Sequence, residues 1–357
     1  MNNTEPISPL DLSHSLPVPS VQELARSGEI PKRYLRPEAE ANPVASVDDD
    51  ELPAIDLEKL LSPELNNEEE VNRLGFACRE WGFFQLINHG IPEEVIERMK
   101  DDIKKFFELP LREKEEIKQL PGHIEGYGQM FVHSEEQILD WGDVLVLIIQ
   151  PSQNRNMRFW PTNPSTFRAN LDAYTKKIGE VADCLYRFMA KDLGIDAEDI
   201  LNLFSDQIQS VRINYYPPCK QADKVLGLSP HSDGTALTVL LQANDVHGLQ
   251  IKKNDKWFLI KPTPGALIIN IGDMIEVMTN GKYKSIEHRA TINSEDERIS
   301  IATFNAPSID TILRPFPKLV NGDGELYKTI SVKEYAKRYL SAKLNGKGAL
   351  ESMRLRK

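Results

Sequence analysis

The sequence predicts an α+β fold: helices first, then a roll of short strands, then a closing helix. Three observations predict it. Apolar residues recur at helical spacing before residue 200. After residue 206 short β-rich segments alternate with Pro, Gly and Asn turn signals. A helical pattern then returns at 331–344. The 357 residues suffice for one large domain or two modest ones, and 40% apolar with 27% charged residues is ordinary for a soluble globular chain.

Taken in order, residues 1–50 are rich in Pro, Ser and acid and read as a draped, poorly ordered arm, with 21–24 its one helical hint. Residues 51–205 read as a mainly helical region. A short strand is expected at 52–57. Val71, Leu74, Phe76, Ala77 and Trp81 give a helix over 68–81, and 83–87 reads as a buried strand closed by Asn88-His89-Gly90. Val95, Ile96, Met99, Ile103 and Phe106 form one helical stripe, stopped at Pro110. Phe167, Leu171, Tyr174, Ile178, Val181, Leu185, Phe188 and Met189 follow the 3.6 period over 166–193, with Gly194 where a C-terminal cap belongs.

Within 206–310, strands are expected at 210–216, 236–242, 249–252, 257–260, 266–271, 283–287 and 299–305. That spacing reads as a sandwich or barrel rather than a doubly wound sheet. Residues 311–357 supply the closing helix and a short basic tail.

Lys+Arg total 43 against Asp+Glu 54, and the resulting charge of −11 argues against a nucleic-acid partner. Cys78, Cys184 and Cys219 include no CxxC pair and suit a reducing compartment rather than a disulfide framework. The first residues carry no apolar leader, and apolar runs such as 144–149 fall far short of the roughly 18 residues that span a bilayer. A cytoplasmic, monomeric protein acting on a small molecule, with no membrane partner, is the expectation.

Most of the seven histidines read as ordinary surface or core residues. His14 lies in the arm and His247 in a turn, while His123 and His133 flank the loop Gly126-Tyr127-Gly128, which could approach a pocket. His231 and Asp233 differ, because residues i and i+2 of an extended chain point the same way. By itself this His-x-Asp pattern is weak. His288, expected to end the strand 283–287 after the Asn280-Gly281 turn signal, would complete a two-His, one-carboxylate set suited to non-haem Fe(II) chemistry. Arg298 and Ser300 repeat the i, i+2 spacing and make a carboxylate clamp of guanidinium and hydroxyl. Asn214 and Tyr216 share a parity on the first strand of the roll, so both can face its interior.

This order (Asn-x-Tyr, His-x-Asp, His, Arg-x-Ser) resembles the plant-type Fe(II)/2-oxoglutarate-dependent dioxygenases. The stretches 77–90, 227–233, 272–273 and 280–283 also look like that family, and the likeness runs from about residue 20 to residue 345. The resemblance implies a double-stranded β-helix (jelly-roll) core. It implies that His231, Asp233 and His288 hold Fe(2+), that Arg298 and Ser300 bind the distal carboxylate of 2-oxoglutarate, and that Asn214 and Tyr216 help hold its other end. O2 would be the second co-substrate, ascorbate the reductant, and succinate and CO2 the by-products. His89 falls in the N-terminal signature and is expected to be structural. Residues 20–24 and 125–129 look most like the branch acting on alkaloids and other specialised metabolites, which implies hydroxylation or O-demethylation of a hydrophobic ring-containing compound.

The side chains expected to face that compound are Tyr127, Phe131, Trp141, Phe304 and Ala306, with Phe304 on the same parity as Ser300. Two other classes are weaker. A binding protein without turnover predicts damage to the metal set or clamp, and both are intact. A Zn²⁺ hydrolase built on the same three ligands leaves Arg298 and Ser300 without a role.

Overall fold

The structure, a computed structural model, describes residues 16–36, 44–45, 51–62, 67–130, 132–320, 322, 324–341 and 344–355. Its strands in chain order are β1 (Val44–Ala45), β2 (Ala54–Asp56), β3 (Phe83–Ile87), β4 (Gly126–Gly128), β5 (Asp143–Gln150), β6 (Ile208–Tyr216), β7 (Leu228–His231), β8 (Leu237–Gln242), β9 (Leu249–Lys253), β10 (Lys256–Leu259), β11 (Leu267–Ile271), β12 (His288–Ala290) and β13 (Arg298–Ala306). One large sheet runs β2-β3-β11-β8-β13-β6-β5-β4 and the second β1-β10-β9-β12-β7, while Ile312–Leu313 and Ile330–Ser331 pair as a small third sheet. From β6 onward the chain passes back and forth between the two sheets. That winding is a double-stranded β-helix, the jelly roll expected.

The long helix Phe167–Leu193 is the scaffold behind the larger sheet. Leu171, Tyr174, Ile178 and Leu185 on its apolar stripe are fully buried, and Gly194 closes it at φ 67°. The outward residues Ile299 and Ile301 of β13 belong to the same core cluster. With one face buried against helix, the inward face of β13 is fixed by the pleat, because a one-residue slip would exchange the two faces.

Several expectations are corrected. Residues 51–205 carry more strand than expected, because β4 and β5 join β2 and β3 in the larger sheet. The apolar run at 144–149 is the core of β5, and a short apolar run does not separate buried strand from helix. The helix expected over 68–81 stops at Phe76, passes into a π-type turn over Ala77–Trp81 and ends at Gly82 with φ 60°. The closing helix spans Val332–Leu340, shorter than the expected 331–344, and a further helical turn, Gly348–Glu351, runs into the start of the tail expected at 350–357.

The described part of the arm is docked. Val21–Ser27 is a helix whose first residue is fully buried, and Asp143 accepts hydrogen bonds from Ser20 Oγ (2.7 Å), Val21 N (2.8 Å) and Gln22 N (3.1 Å). That is a helix cap supplied from a distant strand. His14 lies outside the described residues.

The strand expected at 283–287 does not form. Its backbone N–H groups are spent elsewhere: Lys284 N donates to Cys78 O, and Ser285 N donates to the buried Glu276 carboxylate at 2.7 Å. The ladder begins only at His288. All three cysteines are free thiols. No helix among the described residues is long and apolar enough to cross a membrane.

Candidate active site

His231 ends β7 and His288 opens β12, and the two are direct partners in the antiparallel register. Their rings lie 4.2 Å apart between centroids. Asp233 falls just past the end of β7 rather than on it, so strand parity does not aim it. The turn does: the Asp233 carbonyl accepts from Asp273 N at 2.8 Å, beside Gly272. A Cβ on Gly272 would meet Thr235 O at 2.1 Å, so only glycine lets the two segments close.

Asp233 Oδ1 lies 3.4 Å from His231 Nε2 and 3.6 Å from His288 Nε2, and the three residues offer ligand atoms all within 4.8 Å of one another. Each part of the trio is held from behind. His231 Nδ1 is 2.8 Å from Ser229 O and His288 Nδ1 is 3.0 Å from Ile286 O. A carbonyl only accepts, so each Nδ1 carries the proton and each Nε2 presents a lone pair. Asp233 Oδ2 accepts from Thr238 Oγ1 at 2.6 Å and Asn270 Nδ2 at 2.7 Å, leaving Oδ1 for the centre. An edge contact from Phe83, 5.2 Å between centroids, steadies the His288 ring.

Electrostatics prepare the same set. Burial and the adjacent His231 push His288 down to about 4, so it is neutral near pH 7. Burial alone would raise the Asp233 carboxyl. The two imidazoles and the Asn270 amide outweigh it and hold the group well below the usual carboxylate range. Neutral imidazoles and an ionised carboxylate are the states that bind metal.

Across from the trio, β6 and β13 pair so that Tyr216 faces Arg298 and Asn214 faces Ser300. Asn214 Nδ2 donates to Ser300 Oγ at 3.3 Å, and the Arg298 guanidinium sits 5.4 Å from the Tyr216 ring centre. Arg298 is only 2% exposed, its Nε has no hydrogen-bond partner, and among the described residues no carboxylate pairs with it. A buried, unpaired cation is costly unless an anion arrives. Tyr216 stands beside Arg298, its direct partner in the strand register.

Next to the slot lies a cavity of about 340 Å³, walled by Val146, Ile148, Met274, Phe304, Ala306 and Leu340 together with His231 and Asp233. Phe304 borders both spaces. Two other expected lining residues are elsewhere. Tyr127 is buried in the core, its hydroxyl donating to Asp143 at 3.0 Å, and Trp141 packs edge-on to Tyr34 while donating to Pro217 O at 3.2 Å. Their apolar character reflects packing, not substrate. Phe131 lies outside the described residues. His89 Nε2 is 3.0 Å from Gly265 O, as suits a loop fastener.

The C-terminal segment completes the cavity. Tyr339 lines it and donates its hydroxyl to Ser232 O at 2.9 Å, while Gly346 N donates to Pro230 O and Gly346 O accepts from Ser232 N. The outer edge of β7 is thereby covered.

Residues 207–307 match the sequence model of the 2OG-Fe(II) oxygenase superfamily, and residues 52–163 match that of the non-haem dioxygenase in morphine synthesis N-terminal region. The chain is 50% identical to 2-oxoglutarate-dependent dioxygenase 11 of Oryza sativa subsp. japonica, over 96% of this chain and 97% of that one. The chain belongs to the 2OG-Fe(II) oxygenase superfamily. This oxygenase is also 43% identical to codeine O-demethylase of Papaver somniferum, over 97% and 98% of the two chains. Its backbone superposes on the crystal structure of JOX2 in complex with 2OG, Fe and JA with a TM-score of 0.87, at 34% identity, covering 96% of this chain and 99% of that one.

The oxygenase is therefore an oxidoreductase that uses iron and 2-oxoglutarate, and its donor set fits both. Three hard or borderline ligands on one side of a centre suit Fe(II) with open positions, and the unpaired Arg298 suits a dicarboxylate. Sequence reasoning missed Thr238 and Asn270, which no spacing connects to Asp233.

Proposed function

We propose that this oxygenase oxidises a hydrophobic, ring-containing specialised metabolite, hydroxylating it or removing an O-methyl group, as a cytoplasmic monomer. In this reading His231, Asp233 and His288 hold the iron. The observation that carries the reading is the buried Arg298, without a carboxylate partner among the described residues, set beside three ligand atoms within 4.8 Å of one another. Bound Fe(II), with 2-oxoglutarate and O2, supplies the power to oxidise a C–H bond, leaving succinate and CO2.

The chain's own residues do the rest. The Ser229 and Ile286 carbonyls keep both imidazoles in the metal-binding tautomer, and Thr238 and Asn270 turn one oxygen of Asp233 inward. Arg298, with Ser300 and Tyr216, receives the distal carboxylate of 2-oxoglutarate, and Asn214 donates alongside. Phe304, Ala306 and the aliphatic wall exclude water and present a substrate carbon to the trio. Hydroxylation of an O-methyl carbon releases formaldehyde, so the carbon presented decides between the two outcomes.

The three free thiols are consistent with a reducing compartment. The test is a mass-spectrometric screen of purified protein with ferrous iron and ascorbate against alkaloid, terpenoid and phenolic libraries. A gain of one oxygen or a loss of one CH2, coupled to succinate release, is expected. No oxidised product from any ring-containing class would overturn the reading.

A further inference from the structure

We infer that Arg212 selects organic substrates bearing a carboxylate, an inference that rests on the oxidation proposed above. Arg212 lies on β6 with the inward parity of Asn214 and Tyr216, opposite Ala302 on β13 and Val146 on β5. It borders three spaces at once: the slot behind the iron trio, the apolar cavity, and a polar cleft of about 660 Å³ lined by Gln129, Asp140 and Glu287. A side chain at that junction meets any molecule that reaches the trio from the cavity.

Its bonding defines what it takes. Arg212 Nε donates to Asn214 Oδ1 at 2.8 Å, which fixes the plane of the guanidinium. The two terminal nitrogens remain as an end-on fork, and among the described residues no carboxylate pairs with them. A planar fork on a half-buried cation matches a carboxylate in geometry and charge, and an apolar cavity wall strengthens the contact. The other acids lining the cavity do not answer it. Asp233 is committed to Thr238, Asn270 and the imidazoles, and Asp206 is exposed at the rim, where water screens it. The substrate therefore supplies the missing charge, and its ring body lies along Ile148, Met274 and Phe304.

The experiment pairs aromatic and alicyclic carboxylic acids with their methyl esters, which keep the shape and lose the charge. Binding to the full chain with Fe(II) and 2-oxoglutarate is measured anaerobically by calorimetry, and products are followed by mass spectrometry in air. The wild-type protein is expected to bind acids about 10- to 100-fold more tightly than their esters, the size of a charge-assisted hydrogen bond. Arg212→Gln should bring that ratio close to one, and Arg212→Lys should leave an intermediate preference.

Equal binding of acids and esters by the wild type, or tighter binding of ring-containing amines, would overturn the inference. So would an Arg212→Gln protein with an unchanged ratio and a raised KM for 2-oxoglutarate, since Arg212 would then only position Asn214. If Arg212→Gln fails to fold, the wild-type ratio and the Lys variant decide. Binding is read without turnover, so failure of the oxygenase reading, with no product from any pair, is seen separately.

Discussion

At one end of the β6–β13 pair the inward side chains are Arg298, Ser300, Tyr216 and Asn214; at the other end they are Phe304, Ala306 and Ile208, with Ser210 the one polar group among them. Backbone, pleat and register are the same at both ends, so the difference lies wholly in side chains. The first end is buried, cationic and hydrogen-bonded, shaped for one small dianion. The second is apolar and borders the larger cavity. In the proposed reading one strand pair carries the 2-oxoglutarate slot beside the substrate wall, and changes at the two ends should have separable effects.

The largest effect falls on what both ends serve. His288→Ala removes one lone pair from the trio, and substrate-dependent succinate release should fall to background; retained turnover would break the assignment of the metal set. Next comes the polar end. Arg298→Lys keeps the charge and loses the fork, so the KM for 2-oxoglutarate should rise about 10- to 100-fold while that for the organic substrate stays within about twofold. A parallel rise in both would mean that the two ends do not divide the work.

At the apolar end, Phe304→Ala should change the product profile and lower kcat/KM for the best substrate about threefold to tenfold, with uncoupled 2-oxoglutarate consumption retained. An unaltered profile would remove Phe304 from substrate contact.

The smallest effect is a control on the scaffold. Burial pushes the Glu125 carboxyl up from 4.5 to about 7, against the hydrogen bond it accepts from Ile148 N. Its folded-state pKa is raised, so the protonated form is the stabilising one. That contribution is complete below pH 4.5 and is lost as pH rises through about 7. Glu125→Gln should flatten the fall in melting temperature across that window and leave both ends of β6–β13 unchanged. An equal fall in the variant would show that other groups set the slope.

The polar end was legible in the sequence because its residues sit two apart on single strands, where alternation alone assigns a face. Arg298 with Ser300 and Asn214 with Tyr216 are such pairs, and Phe304 followed from the same parity. Asp233 reached the right place for another reason: a turn clamped at Gly272, not a strand face, aims it. His288 was found although its strand was misplaced, since the Asn280-Gly281 signal marks a turn after the helix Asp273–Met278 rather than a hairpin.

The apolar end was harder to read. Ile148, Met274 and the neighbours Tyr339 and Leu340 come from three distant segments, and nothing local distinguishes an apolar residue lining a cavity from one filling a core. Tyr127 and Trp141 were placed wrongly for that reason. The fold class followed from periodicity, whereas β5 was hidden because a strand buried on both faces shows no alternation.

The hydrogen bonds joining Pro230 and Ser232 to Gly346 have a consequence for biosynthesis. A chain emerges from the ribosome N-terminus first, so both imidazoles and the aspartate are synthesised well before the residues that cover β7 and wall the chamber. Enclosure depends on residues translated after all three ligands, and chains cut short before Tyr339 would keep the ligands yet lose the shelter.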